Sequence, residues 1–314
     1  MQIIKGRIPS AVKVVIYGPE GIGKSTLASK FPEPVFIDTE GSTKRMDVSR
    51  LPVPETWQDI LDEVQYVVKH PDCCKTLVID TADWAEMLCS KHLFGDKGIE
   101  SPGYGKGYVM LAEAFQAFLT ELDKVIAVGI HVVLTAHAKM RKFEQPDEMG
   151  AYDRWEMKLQ KGTAPIVKEW ADMVLFCNYK TIVVNVDGQG ATKGKNKVMG
   201  GGERVFYTQH HNCWDAKNRF GLEEKLPMEY ESISSVIGEP EKLKPKWMEL
   251  KEKMDADGVA LWDIQNLVTV KGWAAPDAPI EDYSNDLIDF LLGDWETVKK
   301  RITEAKETEE IPFG

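Results

Sequence analysis

Between residues 11 and 180, short apolar runs alternate with longer stretches whose apolar residues recur at helical spacing. Val12–Tyr17, Val35–Asp38, Thr76–Asp80, Val132–Ala136 and Met173–Cys177 are the short runs, rich in β-branched residues. A strand covered on one face would alternate apolar with polar; these do not, so they predict strands buried on both faces. Helical patterns fall at Lys24–Lys30, Glu55–Lys69 and Tyr108–Val128. Strands alternating with helices predict an α/β fold with a mostly parallel, twisted sheet and helices on both faces.

After residue 180 the pattern changes. Thr181–Val186 and Arg204–Thr208 predict two more strands, joined by the Gly- and Lys-rich stretch DGQGATKGKNKVMGGGE. Beyond about Glu239 the periodicity is helical, at Pro245–Met254, Ala260–Val270, Asn285–Leu292 and Trp295–Ala305. The expected organisation is a core over 1–236, a small helical domain over 237–305 and a disordered acidic tail over 306–314.

Composition narrows the class. Of 314 residues, 43% are hydrophobic and 28% charged, enough apolar material for a sizeable core. No apolar run reaches the roughly 18 residues of a membrane span, so no membrane role is expected. The N-terminal sequence lacks the pattern of a secretory signal. Five cysteines without a C-x-x-C pair suit a reducing, cytoplasmic setting. The net charge of −11 is uneven: residues 231–314 carry −9 and the rest −2. That balance argues against a simple polycationic nucleic-acid binder, while leaving room for a local basic channel.

The candidate chemistry starts at GPEGIGKS: Gly18, Pro19, Glu20, Gly21, Ile22, Gly23, Lys24 and Ser25, with Thr26 next. It matches G-x-x-x-x-G-K-[ST] in full, between a predicted strand and a predicted helix. Glycines let the backbone curl so that N–H groups point at phosphate oxygens, and the helix N-terminus adds its positive end. Lys24 would neutralise the β- and γ-phosphates of ATP, and Ser25 would ligate Mg²⁺. Asp80 ends a buried strand and is a candidate second holder of Mg²⁺, with helix capping as its alternative. Glu40, beyond the strand Val35–Asp38, could orient or activate water, with a capping or loop role as its alternative. His210, His211 and Cys213 lack the spacing of a zinc site.

In order, these segments resemble a RecA-type ATPase core over about residues 10–222. Phe36–Glu40 resembles the segment that carries that family's catalytic glutamate, and Val78–Thr81 resembles its Walker B strand. Val132–His137 resembles the strand whose last polar residue senses the γ-phosphate, which gives His137 that role. The resemblance implies two DNA-contacting loops, Gly95–Gly107 and Ala138–Lys168. Tyr104 and Lys106 fall in the first; Lys139, Arg141, Lys142, Arg154, Lys158 and Lys161 fall in the second. Basic side chains that track phosphates beside aromatic faces that stack on bases suit single-stranded DNA. Ala216–Gly221 resembles the K-x-R-x-G segment of DnaB-type helicases, which makes Lys217 and Arg219 candidate fingers reaching a neighbour's γ-phosphate; a surface basic turn is the alternative.

In layout the chain looks most like phage-encoded RecA-like ATP-binding proteins of single-strand annealing and recombination. That likeness implies an ATPase stimulated by single-stranded DNA in a bacterial host cytoplasm, working as a homo-oligomeric ring or filament with ATP between subunits. A ring helicase or helicase loader, and a nucleotide-switched scaffolding protein, are the other readings. The tail residues Glu309–Gly314 resemble the acidic tip of bacterial single-stranded-DNA-binding proteins, which implies a protein partner; a merely solubilising tail is the alternative.

Overall fold

The computed structural model describes residues 10–144, 150–185, 196–238, 245–276 and 278–309, in two compact units over 1–242 and 243–314. Among the described residues the first holds ten strands: β1 (Lys13–Gly18), β2 (Pro34–Asp38), β3 (Ser49–Arg50), β4 (Thr76–Asp80), β5 (His131–Glu144), β6 (Ala151–Met157), β7 (Met173–Asn185), β8 (Asn196–Tyr207), β9 (Lys217–Asn218) and β10 (Lys225–Pro227). Their order is β10-β8-β7-β1-β5-β4-β2-β3, with β6 on β5 and β9 on β7. The central strands β7-β1-β5-β4-β2 are parallel to one another, while β8 and β9 on β7 and β6 on β5 are antiparallel. This is an α/β core built on a mostly parallel sheet.

Helices cover both faces. On one side lie α1 (Lys24–Ala28) and α6 (Glu231–Ser234), packed with Val14, Ile16, Ile22, Leu175 and Ile237. On the other lie α2 (Trp57–Lys69), α3 (Ala82–Phe94), α4 (Lys106–Ala127) and α5 (Thr163–Trp170). There Trp57, Phe115 and Phe118 form an aromatic cluster with centroids 5.1–6.1 Å apart. With both faces covered, β4 is buried at every residue, which is why its sequence does not alternate. Thr56 starts α2 by a capping box, its hydroxyl accepting from the Asp59 N–H at 3.2 Å while the Asp59 carboxylate accepts from the Thr56 N–H at 2.8 Å.

The second unit consists of α7 (Lys246–Asp257), α8 (Leu261–Val270), α9 (Asn285–Gly293) and α10 (Trp295–Glu309). Its core comprises Trp247, Leu250, Ile264, Val268, Ile288, Leu291 and Trp295. Gly258 ends α7 at φ 66°, a left-handed position that favours glycine.

Two expectations give way. Ala138–Lys168 is not an irregular loop: β5 continues to Glu144, pairs antiparallel with β6, and α5 follows. A charged two-stranded ribbon has little periodicity, because partners such as Phe143 and Tyr152 meet across the ribbon rather than along it. The expected tail from 306 is helical as far as Glu309, and 310–314 lie outside the described residues. Residues 186–195, most of the Gly- and Lys-rich stretch, lie outside them too.

Candidate functional site

The strand register brings four chain-distant residues to one edge of the sheet. Gly18 pairs with His137 across β1 and β5, and Asp38 pairs with Asp80 across β2 and β4. All four end their strands or lie where the parallel sheet emerges from cover, the edge at which open α/β sheets place ligands.

At that edge β1 turns into α1 through GPEGIGKS. Gly21 and Gly23 have φ 72° and 104°, left-handed positions that a side chain rarely adopts. Gly18 is required for a different reason: a Cβ there would stand 2.4 Å from the carbonyl oxygen of Cys177 on β7. Lys24 is buried, and its Nζ donates to the carbonyls of Gly18 at 3.2 Å and Pro19 at 3.1 Å. Burial lowers the Lys24 ammonium from its usual range, against the pull of Cys177, Asp80, Asp83 and Glu40.

Asp38 is a scaffold for Glu40. Its carboxylate accepts from the N–H groups of Gly41, Ser42 and Thr43 at 2.7, 3.0 and 2.9 Å and from the Thr43 hydroxyl at 2.6 Å. This fixes the turn after β2, and Thr39 ties it to β4 by donating from its hydroxyl to the Thr81 carbonyl at 2.9 Å. Asp80 is buried, accepting from the Ser42 hydroxyl at 3.0 Å and from the Thr135 hydroxyl.

Glu40, His137 and Asp83 form a line. One Asp83 oxygen accepts from the His137 backbone N–H at 2.9 Å, and the other lies 2.9 Å from Nδ1. Nε2 then faces the Glu40 carboxylate at 3.9 Å. Burial acts to raise Asp83, but its bonds to His137 hold it below its usual range. Burial also pushes the Glu40 carboxyl up; Asp80 and Asp83 reinforce this, while His137 and Lys24 oppose it. Asp83 gave no signal in the sequence, since one helical acid three residues past a strand looks like any other. Arg204 on β8 was equally silent: Nη1 donates to the Ile22 carbonyl at 3.2 Å, over the phosphate loop.

The basic and aromatic candidates do not stay together. Lys139 and Lys158 share a cavity with α3, whereas Arg141 and Lys161 line a smaller one beside Asp215. Lys142 alternates with them on β5 and so lies on the other face of the ribbon. Tyr104, fully exposed, and Lys106 lie at the start of α4 and line neither cavity. Arg154 departs from its expected role as a DNA contact: it is buried and paired with Asp215, which also takes Lys168 at 2.8 Å.

Lys217 likewise departs from a finger. Its Nζ donates to the carbonyls of Lys168, Glu169 and Ala171 at 3.0, 3.0 and 2.6 Å, satisfying the end of α5. Arg219 is exposed and donates to Asp172 at 2.9 Å. Lys217 pairs with Val174 at the start of β7, whereas the phosphate loop meets that strand further along, at Cys177.

Ser25 and Asp80 supply a hydroxyl and a carboxylate oxygen, the hard donors that Mg²⁺ takes, so this donor set fits that ion. Among the described residues there is no cluster of three or more His, Cys, Asp or Glu able to hold a metal, and no helix long and apolar enough to cross a membrane.

A family profile described as AAA domain (AAA_24) matches residues 10–220. No curated protein matches the chain. Among solved structures, the flagellar accessory protein FlaH from Methanocaldococcus jannaschii is similar over 65% of this chain and 80% of that one, at 12% identity and a TM-score of 0.33.

Proposed function

The chain belongs to the AAA domain family, matched over two-thirds of its length, and from that premise we propose that it hydrolyses ATP under stimulation by single-stranded DNA, in phage DNA recombination or strand annealing. One observation supports this above the others. Lys24, Glu40, Asp80 and His137 converge on one sheet edge, beside a glycine loop whose amides can cradle phosphates.

The side chains divide the work as follows. Lys24 exchanges the Gly18 and Pro19 carbonyls for β- and γ-phosphate oxygens, a better partner for a buried ammonium. Ser25 and Asp80 would hold Mg²⁺, which when bound neutralises phosphate charge. Glu40, its carboxyl raised, is matched to taking a proton from attacking water, and His137 points Nε2 at the same place. Arg219, exposed and remote from its own loop, is the side chain available to reach a neighbouring subunit's nucleotide in a ring or filament. The acidic C-terminal tail would serve a protein partner.

The test is ATP turnover by the full chain, with and without oligo-dT. The proposal expects turnover that rises at least several-fold with oligo-dT and is lost in Lys24→Ala. Turnover insensitive to single strands would remove the DNA coupling, and turnover intact in Lys24→Ala would remove the phosphate site.

A further inference from the structure

α3 has two unlike faces. Ala82, Ala85 and Cys89 are buried against the sheet. The outer face carries Trp84, Met87 and Lys91 at i, i+3 and i+7, with Trp84 37% and Met87 49% exposed. Together these three line one wall of a cavity of about 520 Å³, the range of a small-ligand site. Lys139 and Lys158 line the opposite wall.

The charges of this cavity do not cancel. Its two acids are already engaged: Asp83 by His137, and Glu86 by the Gln160 N–H at 3.1 Å to each oxygen. Lys139 donates to the Leu159 carbonyl at 2.6 Å. Lys91 and Lys158 are exposed and, among the described residues, make no ion pair. An exposed indole and thioether between two unpaired ammonium groups fit a ligand with an apolar planar face and an anion on either side. A base of single-stranded DNA, flanked by its phosphates, has that form.

Both walls hold the same histidine. The α3 wall holds His137 through the two oxygens of Asp83, and the opposite wall holds it where the Lys158 N–H donates to the His137 carbonyl at 2.8 Å. A ligand that draws Lys158 towards α3 therefore changes the setting of the residue that faces Glu40.

We propose that this cavity is an effector site for one nucleotide of single-stranded DNA, with the base on Trp84 and Met87 and the phosphates on Lys91 and Lys158, and that its occupancy is transmitted to hydrolysis through His137. This rests on the DNA-stimulated ATPase reading above, and adds to it the site, three residues on α3 and the route.

The experiment uses the full-length protein, measuring fluorescein-labelled oligo-dT binding by anisotropy and ATP turnover with and without saturating oligo-dT. Trp84→Ala and Lys91→Glu should each weaken oligo-dT binding about tenfold, with DNA-free turnover within about twofold of wild type. Lys91→Glu, at an exposed helix position, keeps the test valid where Trp84→Ala is unstable. Asp83→Asn should bind oligo-dT as wild type does but lose most of its stimulation, because an amide donates to Nδ1 and reverses the histidine tautomer. Wild-type oligo-dT affinity in both α3 variants would overturn the site while leaving the ATPase intact. Full stimulation in Asp83→Asn would overturn the route. A wild-type protein that hydrolyses ATP and ignores oligo-dT would overturn the DNA reading itself, and this proposal with it.

Discussion

Lys24 holds its ammonium against two backbone carbonyls of its own loop. A cation kept buried on weak partners is ready for a stronger one; the acids near it are Asp80, Asp83 and Glu40, with the Cys177 thiol beside them. Glu40 is the member of that group with freedom to act, because Asp80 is committed to the Ser42 and Thr135 hydroxyls and Asp83 to His137. Glu40→Gln should therefore keep ATP affinity within about threefold and cut turnover by roughly 10² to 10⁴; single-turnover hydrolysis against equilibrium binding separates the two effects. Glu63 on α2 tests the electrostatics away from the site. Burial, with Asp59 adding, pushes its carboxyl up to about 7, and among the described residues one oxygen has no hydrogen-bond partner. The folded state thus favours the protonated form. Stability is full below the usual carboxyl pKa of 4.5 and is lost as pH rises through about 7. Glu63→Gln should gain on wild type over that window and melt a few degrees higher at pH 8, with a smaller gap at pH 5. A pH-independent gap would contradict this assignment.

At the scale of elements, local signals carried far. The strand β4 and the turn into α1 were legible because burial on both faces and a phosphate loop leave contiguous signatures, and Asp80 was legible by ending such a strand. The β5–β6 ribbon was not, since what makes it is cross-strand pairing such as Phe143 opposite Tyr152. Arg154 looked like a solvent-facing base for the same reason: Asp215, its counter-charge, lies 61 residues further on. Asp83 and Arg204 escaped notice because only the fold sets them beside His137 and the phosphate loop. The Asp215 cluster is also what binds this ribbon to the core. Its main chain exchanges hydrogen bonds with the Tyr17 hydroxyl, accepting at 2.5 Å and donating at 3.1 Å, one residue before the phosphate loop begins. Asp215→Ala leaves the buried Arg154 uncompensated and should cost about 3–5 kcal/mol, read as a fall in the denaturation midpoint. Loss below about 1 kcal/mol would mean that water already screens the pair.

At the scale of the molecule, the first unit contains every residue of the candidate site, and the second contributes a separate helical core and most of the excess negative charge. The first unit, at −4 against −7 for the smaller second one, is the less acidic of the two and the better suited to meeting a polyanion. Everything proposed for that unit depends on a nucleotide's phosphates being held at Gly18–Ser25 by Lys24. Equilibrium binding of a fluorescent, non-hydrolysable ATP analogue to the full chain and to Lys24→Ala, with Mg²⁺ present, tests this directly. Saturable binding by the wild-type chain, weakened at least a hundredfold in the variant, is the expected result. Equal affinity in the two proteins, or no binding by either, would contradict it.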